Sequence, residues 1–254
     1  MSAYGAFSSP VSTAILPSTV WYLPPKNSAS RFISIHHLRL STATSPGFIE
    51  HLHREFAEEV ARGTSYPQET REGETLSREA FEAYFFAESV IVGIVHEGDL
   101  LGLSNEKDTT EIEGMQMKEV VISSEDARAE RAWEECVAGF YYVKPNYPGR
   151  SSHICNAGFI TPSAQRGRGY GHVMARSFLY YAPRLGYAAS VFNLVFVNNL
   201  ASIRLWEQLR FTKTGLIPRA GRLKRTDGQG EEYVDAYVFY KDFRELAGYA
   251  GDKS

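Results

Sequence analysis

The spacing of apolar residues along the chain predicts one mixed β-sheet with helices packed against it. Strand-like runs, alternating or continuously apolar, cover residues 31–40, 90–95, 137–143, 153–160, 188–197, 216–223 and 233–240. Helical periodicity covers residues 47–60, 76–86, 169–185 and 199–211. In chain order these elements read β-α-α-β-β-β-α-β-α-β-β, which predicts an α/β (α+β) fold with a single domain over residues 31–245.

Capping and turn residues mark the ends of several elements. Ser77 is placed to cap the second helix, whose first turns carry Glu79 and Glu82. Asn199 is placed to cap the fourth helix. The turn sequence of residues 227–230, Asp-Gly-Gln-Gly, lies between the last two strand-like runs and predicts a closing hairpin.

Three segments fall outside this pattern. Residues 1–30 are rich in Ser, Ala, Thr and Pro, and we interpret them as an N-terminal arm. Residues 97–135 are strongly acidic and weakly periodic, which indicates a solvated insertion or, alternatively, a surface that attracts cationic substrates. Residues 246–254 are interpreted as a C-terminal tail. No Asp or Glu precedes Glu50, and this composition leaves a targeting segment as one interpretation of the N-terminus. We expect a cytoplasmic protein, with a mitochondrial location as the alternative.

Composition and charge narrow the class of function. A net charge of -3 and a pI of about 6.2 argue against a nucleic-acid partner, whose phosphates need clustered Lys and Arg. No apolar run is long enough to span a membrane, so no membrane partner is expected. We interpret Cys136 and Cys155 as reduced thiols in strands, and His153 lacks the neighbouring ligands that a metal site needs. The sequence therefore favours small-molecule chemistry without a metal.

The most informative motif is the run Arg166-Gly167-Arg168-Gly169-Tyr170-Gly171. It follows an apolar run and opens a helical pattern, so its backbone N–H groups can converge on an anion at a helix N-terminus. The glycine spacing does not fit a dinucleotide fingerprint, and no Gly-Lys-Ser/Thr completes a P-loop. The remaining interpretation of the motif is a pyrophosphate site that belongs to neither of these two classes.

The motif Arg166, Gly169 and Gly171, followed about thirty residues later by a helix opened at Asn199, resembles the coenzyme A site of the GNAT superfamily of N-acetyltransferases. The resemblance implies the acetyltransferase fold, a mixed twisted sheet whose fourth and fifth strands splay apart to admit acetyl-CoA. The positions that the resemblance assigns to the coenzyme are Phe159, Ile160, Arg166, Gly167, Arg168, Gly169, Tyr170, Gly171 and Asn199.

The sequence departs from the superfamily pattern at the position of its usual acid. Many members place a tyrosine seven residues after the capping asparagine, and this chain has Trp206 there, whose indole N–H is not a usable acid. Either solvent or another group protonates the leaving thiolate, or catalysis is lost. Compared with the usual spacing in the superfamily, the loop also carries one extra residue between Pro162 and Arg166. We predict that Trp206 packs and transfers no proton.

Three segments, residues 144–160, 190–196 and 220–224, are similar to the yeast N-acetyltransferases of the proline analogue azetidine-2-carboxylate. The likeness covers residues 137–238 well and the N-terminal third only in outline. It implies that Asn156 and Asn193 lie at the amine substrate and serve catalysis, and that Phe159 and Leu194 help to line the pocket. From the residues alone, a buried asparagine pair can equally be structural.

Together these features predict an acetyl-CoA-dependent N-acetyltransferase that acts on a small amine, with a proline-like cyclic imino acid as the substrate. The alternatives are a polyamine or peptide N-acetyltransferase and a non-catalytic coenzyme-A-binding module. The acidic residues 97–135 favour a cationic substrate, whereas the neutral amides of Asn156 and Asn193 favour a zwitterion. A homodimer is left open.

Overall fold

The computed structural model describes residues 14–26, 29–71, 73–97 and 108–246. Within these ranges one mixed sheet is formed by ten strands, β1 (Ser18–Lys26), β2 (Ala29–Leu38), β3 (Ser89–Glu97), β4 (Thr110–Ile112), β5 (Met115–Val120), β6 (Val137–Pro145), β7 (Ile154–Ile160), β8 (Ala189–Phe196), β9 (Thr212–Lys224) and β10 (Glu231–Asp242). Their order in the sheet is β4-β5-β1-β2-β3-β6-β7-β8-β10-β9. Neighbours pair antiparallel, except that β7 and β8 run parallel.

Helices cover both faces of this sheet, and their bounds are α1 (Phe48–Arg62), α2 (Arg78–Phe85), α3 (Ser124–Arg128), α4 (Trp133–Cys136), α5 (Tyr170–Arg184) and α6 (Leu200–Gln208). The helices α5 and α6 pack on one face, where Phe178 and Ile203 join a core with Tyr141. The helices α1 and α2 pack on the other face, where Phe56 and Phe85 join a second core. None of the helices that the structure describes is long and apolar enough to cross a membrane.

The predicted order of elements is confirmed, with β2, β3, β6, β7, β8, β9 and β10 as its strands and α1, α2, α5 and α6 as its helices. Ser77 caps α2 by accepting a hydrogen bond from the N–H of Ala80 at 3.1 Å. The closing hairpin forms as expected, with the N–H of Arg225 bonded to the carbonyl of Gly230 at 3.0 Å. Periodicity succeeded for most of these elements because they bury one face against a core, whereas β9 is exposed along most of its length and is marked instead by the hairpin turn before β10.

The interpretation of residues 1–30 as an arm is wrong for the part that the structure describes. Strand β1 lies inside the sheet between β5 and β2, and Trp21 is fully buried. Thr19, Val20 and Trp21 are good strand formers, and Pro24 and Pro25 lie where the pairing with β2 becomes irregular, between Leu23 and Lys26. Residues 1–13 of the predicted arm lie outside the described residues, as do residues 247–254 of the predicted tail.

The interpretation of residues 97–135 as a solvated insertion is also wrong for its described part. Strands β4 and β5 extend the sheet beyond β1, and α3 and α4 pack on β3, while residues 98–107 lie outside the described residues. Met117, Ala127 and Trp133 are buried, and the indole N–H of Trp133 donates to the carbonyl of Pro46 at 3.0 Å. These elements are short, so their few apolar positions give little periodicity among many exposed acids.

Both cysteines are buried free thiols. Cys155 lies in β7 as expected, but Cys136 ends α4 instead of lying in a strand. Burial raises the pKa of the Cys136 thiol to about 11, so it stays protonated at neutral pH. The interpretation of both residues as reduced, packed thiols is therefore supported, with a different element for one of them.

The predicted separation of two neighbouring strands is confirmed. Strands β7 and β8 pair only at Ile154 with Ala189 and at Cys155 with Ser190. Both strands then continue, to Ile160 and Phe196, without pairing to each other. The result is an opening in the middle of the sheet, at the carboxyl ends of two parallel strands. This is the place where parallel sheets commonly bind ligands.

Candidate active site

One side of the opening is shaped by an irregularity in β8. Phe192 pairs with Phe239 of β10 and Val195 pairs with Tyr237, so that two residues of β8 face the single residue between them. Those two residues are Asn193, which is half-buried, and Leu194, which is 36% exposed. A bulge of this kind bends a strand and redirects its side chains. It carries β8 away from β7 at the position of two predicted substrate residues.

Phe159 closes the opening on the face of α5 and α6. Its ring centroid lies 4.6 Å from that of Tyr141, 6.1 Å from that of Phe192 and 5.2 Å from that of Trp206. Because side chains alternate along a strand, Phe159 and Asn156 lie on opposite faces of β7. The two residues therefore line the opening from different sides.

Trp206 packs, as predicted. It is 4% exposed, and its indole ring contacts Phe192 and Phe211 at centroid distances of 4.5 and 5.0 Å. The indole N–H donates to the hydroxyl of Ser202, one helical turn earlier, at 2.9 Å. Since its one donor is already engaged within α6, Trp206 contributes to the wall of the opening through its ring.

The main chain of β7 borders the opening. The carbonyl of Phe159 accepts a hydrogen bond from the hydroxyl of Tyr66 at 3.3 Å, and Ile160 pairs with Phe140 of β6. Adjacent residues of a strand direct their main-chain groups to opposite sides. Only one of Phe159 and Ile160 can therefore offer its own N–H and carbonyl to a ligand in the opening.

The glycine loop leaves open space at the N-terminus of α5. A Cβ atom built on Gly167, Gly169 or Gly171 would have no neighbouring atom within 4 Å. Gly167 and Gly169 need glycine for their backbone, with φ of 73° and 84°, but Gly171 does not. Within the described chain, no protein acceptor is bonded to the N–H groups of residues 167–171. The loop is thus a cradle of backbone donors that fits an anion.

Two side chains of this motif are turned away from the cradle. Arg166 donates to the carboxylate of Glu59 at 2.7 Å and to the carbonyl of Thr161 at 3.1 Å. The ring of Tyr170 is buried in the core, and its hydroxyl lies 3.4 Å from the guanidinium of Arg31. In this structure neither side chain faces the predicted anion, and Arg166 fixes the loop to α1.

Glu59, the partner of Arg166, is a buried carboxylate in the last turns of α1. Burial alone would raise the pKa of Glu59, but hydrogen bonds from Ser65 and Arg166, together with the charge of Arg62, lower it below its usual range. The carboxylate is therefore ionised at neutral pH. It holds both guanidinium groups and ties the glycine loop to the end of α1.

Asn199 has the capping role that its sequence position predicts. Its side-chain oxygen accepts a hydrogen bond from the N–H of Ser202 at 3.1 Å. The amide NH₂ group is not used in this cap, so it remains able to donate to a ligand beside α6.

The structure separates the two asparagines that the sequence treats together. The side-chain oxygen of Asn156 accepts a hydrogen bond from the N–H of Ala157 at 2.8 Å. Asn193 instead exchanges two hydrogen bonds with Asn146, and the hydroxyl of Tyr147 lies 3.5 Å from its side-chain oxygen. Asn193 is therefore oriented by the segment that follows β6.

Sequence reasoning missed Lys144, which lies near the end of β6. Its ammonium donates to the carbonyl of Tyr84 at 3.0 Å and lies 3.7 Å and 4.3 Å from the ring centroids of Tyr84 and Tyr142. Burial lowers the pKa of Lys144 to about 8. The available sequence signal was that Lys144 is the single charged residue of β6 and lies next to its last position.

Two known proteins are similar to this chain in sequence. The chain is 51% identical to the N-acetyltransferase aca1 of Schizosaccharomyces pombe over 120 residues, which are 47% of this chain and 56% of that protein. It is 30% identical to Protein SPT10 of Saccharomyces cerevisiae over 212 residues, which are 79% of this chain and 32% of that protein. The chain thus spans between a third and a little over half of the length of these two relatives.

A solved GNAT structure from Kribbella flavida, a GCN5-related N-acetyltransferase, has the same fold. It superimposes with a TM-score of 0.56 at 20% identity, over 82% of this chain and 97% of that chain. A family model described as acetyltransferase (GNAT) family matches residues 49–211, which contain the splayed strands, the glycine loop and Asn199. The chain therefore belongs to the acetyltransferase (GNAT) family.

Proposed function

We propose that this protein is an acetyl-CoA-dependent N-acetyltransferase that acts on a small amine, and that the amine is a proline-like cyclic imino acid such as azetidine-2-carboxylate. The observation that carries the proposal is the juxtaposition of two features. The parallel pairing of β7 and β8 stops after Cys155 and Ser190, and the chain that leaves β7 forms a cradle of free N–H groups beside this opening.

The coenzyme would be held mainly by main-chain groups. The N–H groups of residues 167–171 would bind its pyrophosphate, since none of them is bonded to an acceptor in the described chain and they lie at the positive end of α5. Acetyl-CoA supplies the acetyl group as a thioester when bound. The main chain of whichever of Phe159 and Ile160 faces the opening would align the pantetheine arm, and an N–H near Ile160 would stabilise negative charge on the thioester oxygen. Asn199 would serve the coenzyme side with its free NH₂ group.

The acceptor would lie at the two asparagines. Asn156 and Asn193 are neutral amides that can both donate and accept hydrogen bonds, so they suit a zwitterionic acceptor, and we assign its amine to Asn156. The amine must lose its proton before it attacks, and Asn156 would order the water that accepts this proton. Trp206 offers no acid, so the departing sulfur would take its proton from solvent. The resemblance to the azetidine-2-carboxylate enzymes over residues 137–238 supports this substrate.

The proposal is tested by measuring thiol release from acetyl-CoA with azetidine-2-carboxylate, spermidine and a short peptide as acceptors. We expect turnover with the imino acid and little with the other two. The Gly171→Val variant is the matched control, because it should block coenzyme binding without disturbing a protein contact. Turnover only with spermidine or the peptide would contradict the substrate assignment. Coenzyme binding without turnover on any amine would contradict the enzymatic assignment.

A further inference from the structure

Lys144 and Asn156 share one face of the sheet. The two residues are direct cross-strand partners in the antiparallel pair of β6 and β7. Side chains at directly opposed positions point to the same face, with Cβ atoms about 5 Å apart. This is the face of α1 and α2, where Tyr84 and Tyr142 lie against Lys144. The lysine thus stands beside the amide to which we assign the amine of the acceptor.

The surroundings of Lys144 fix its position but do not balance its charge. The hydroxyl groups of Tyr84 and Tyr142 are hydrogen-bonded at 2.9 Å, which holds both rings against the ammonium. One of its three N–H groups is used by the carbonyl of Tyr84. Among the described residues no carboxylate forms an ion pair with it, and burial is the one influence on its pKa. Lys144 is a half-buried cation without an anion.

A cation in this position is costly unless a ligand pairs with it. Buried charges are normally paired, and rings alone compensate only part of the lost hydration. Asn146 and Asn193, which the sheet brings to the same end, are neutral and cannot supply the anion. Lys144 is half-buried, so part of its side chain remains exposed to solvent.

We propose that Lys144 binds the carboxylate of the acceptor and so restricts the acceptor to small amines that carry a carboxylate beside the reactive nitrogen. This inference rests on the proposed N-acetyltransferase activity at the same site. Asn156 then faces the nitrogen while Lys144 holds the acid group, one cross-strand step away. Polyamines lack such a carboxylate, and the N-terminal residue of a peptide presents a neutral amide in its place.

The test compares azetidine-2-carboxylate with azetidine-2-carboxamide, which differ only in the acid group. We expect the wild-type protein to prefer the carboxylate. Lys144→Met should lower kcat/KM for the carboxylate about ten- to a hundredfold, as expected for the loss of a hydrogen bond between charged groups. For the carboxamide the same variant should change kcat/KM by less than about threefold. Lys144→Arg, which keeps the charge, should retain the preference for the carboxylate.

A matched control is Lys213→Met. Lys213 also lies over an aromatic ring, 4.3 Å from the centroid of Tyr237, but it is exposed and paired with Glu207 at 2.6 Å. This variant should leave both substrates unaffected. Calorimetric binding of azetidine-2-carboxylate to the coenzyme A complex provides a readout that does not depend on turnover, and it should weaken in Lys144→Met only.

The possible failures are distinguishable. If Lys144→Met lowers kcat/KM equally for both substrates, the lysine acts on the nitrogen or on the fold, and the carboxylate assignment is overturned. If Lys144→Met does not fold, Lys144→Gln replaces it under the same criteria. If the wild type acetylates spermidine and neither azetidine compound, and also fails to bind the imino acid, the proposed acceptor and the role of Lys144 fall together.

Discussion

The side-chain amides of Asn146 and Asn193 exchange two hydrogen bonds, at 3.1 Å from Asn146 Nδ2 to Asn193 Oδ1 and at 2.6 Å in the other direction. Asn146 follows β6 and Asn193 lies in the bulge of β8, so the pair bridges the strand β7 that separates them in the sheet. The main-chain N–H of Asn146 is itself fixed to the carbonyl of Ile154 at 2.8 Å. The pair therefore holds the splayed strand at a defined distance and orients Asn193.

We predict that Asn146→Ala and Asn193→Ala each lower kcat/KM for azetidine-2-carboxylate by about tenfold, and that the double variant is little worse than either. Each single change already breaks both hydrogen bonds, so the second should cost little, as expected for residues that act as a unit. The measurement is a double-mutant cycle, with acetyl-CoA binding followed by calorimetry. Fully additive losses, or a parallel loss of coenzyme binding, would contradict this account.

Asn156 should behave differently, because it is bonded to its own strand and not to the pair. We predict that Asn156→Ala lowers kcat/KM for the same substrate by about ten- to a hundredfold, the range for a hydrogen bond to a charged group. Combined with Asn193→Ala the losses should largely add. Asn156→Ala should still fold, because the side-chain oxygen of Asn156 is bonded to the next residue of its own strand. If this variant kept wild-type turnover, Asn156 would not be part of the acceptor site.

For the glycine loop we predict that Gly171→Val abolishes the thermal shift given by acetyl-CoA while the ligand-free protein still unfolds cooperatively. The added side chain meets no protein atom, but it would occupy the space in front of the donors of α5. Gly215→Val is the matched control, because Gly215 also has open space around its Cβ and lies in β9. An unchanged shift in Gly171→Val would place the coenzyme elsewhere.

Trp206→Phe should change kcat by less than about tenfold, below the usual effect of removing a general acid. A phenyl ring can still pack against Phe159 and Phe192, while the hydrogen bond to Ser202 and part of the ring volume are lost. Ser202→Ala removes the same bond from the other side and should have a similarly small effect. A loss of several hundredfold in a folded protein with normal acetyl-CoA affinity would assign proton transfer to this position.

The sequence predicts the opening between β7 and β8 because local signals carry it. Continuous apolar runs mark both strands, and the glycines and Asn199 mark the two helix starts that follow them. The sequence does not predict β1, because the composition of residues 1–30, rich in Ser, Ala, Thr and Pro, indicates an arm, and only the pairing shows that Pro24 and Pro25 lie at an irregularity of a strand.

The surroundings of the acceptor could not be predicted in this way. Asn146 lies 47 positions from Asn193, and Lys144 lies 60 positions from Tyr84, so each contact depends on how distant elements meet. Periodicity reports which face a residue occupies, but not which partner it has there.

The last prediction concerns acid stability and a buried chain of side chains away from the opening. The hydroxyl of Ser34 lies 2.8 Å from the Nε2 atoms of both His36 and His96, and all three residues are buried. Burial, with the charge of His96 adding to it, lowers the pKa of His36 to about 3. Burial, with the charge of Arg131 adding to it, lowers the pKa of His96 to about 4.

These shifts make the folded state lose stability as the pH falls. Between about pH 6.5 and pH 4 the unfolded chain binds protons at His36 and His96 and the folded chain does not, so the free energy of unfolding rises with pH there. We expect the melting temperature to fall from pH 7 to pH 5, and to fall less steeply in His36→Gln. The exposed His153 offers a control, since His153→Gln should keep the wild-type slope. Because the comparison is between slopes, it holds even where His36→Gln lowers the melting temperature at every pH, and equal slopes in all three proteins would show that His36 does not contribute to the acid limit.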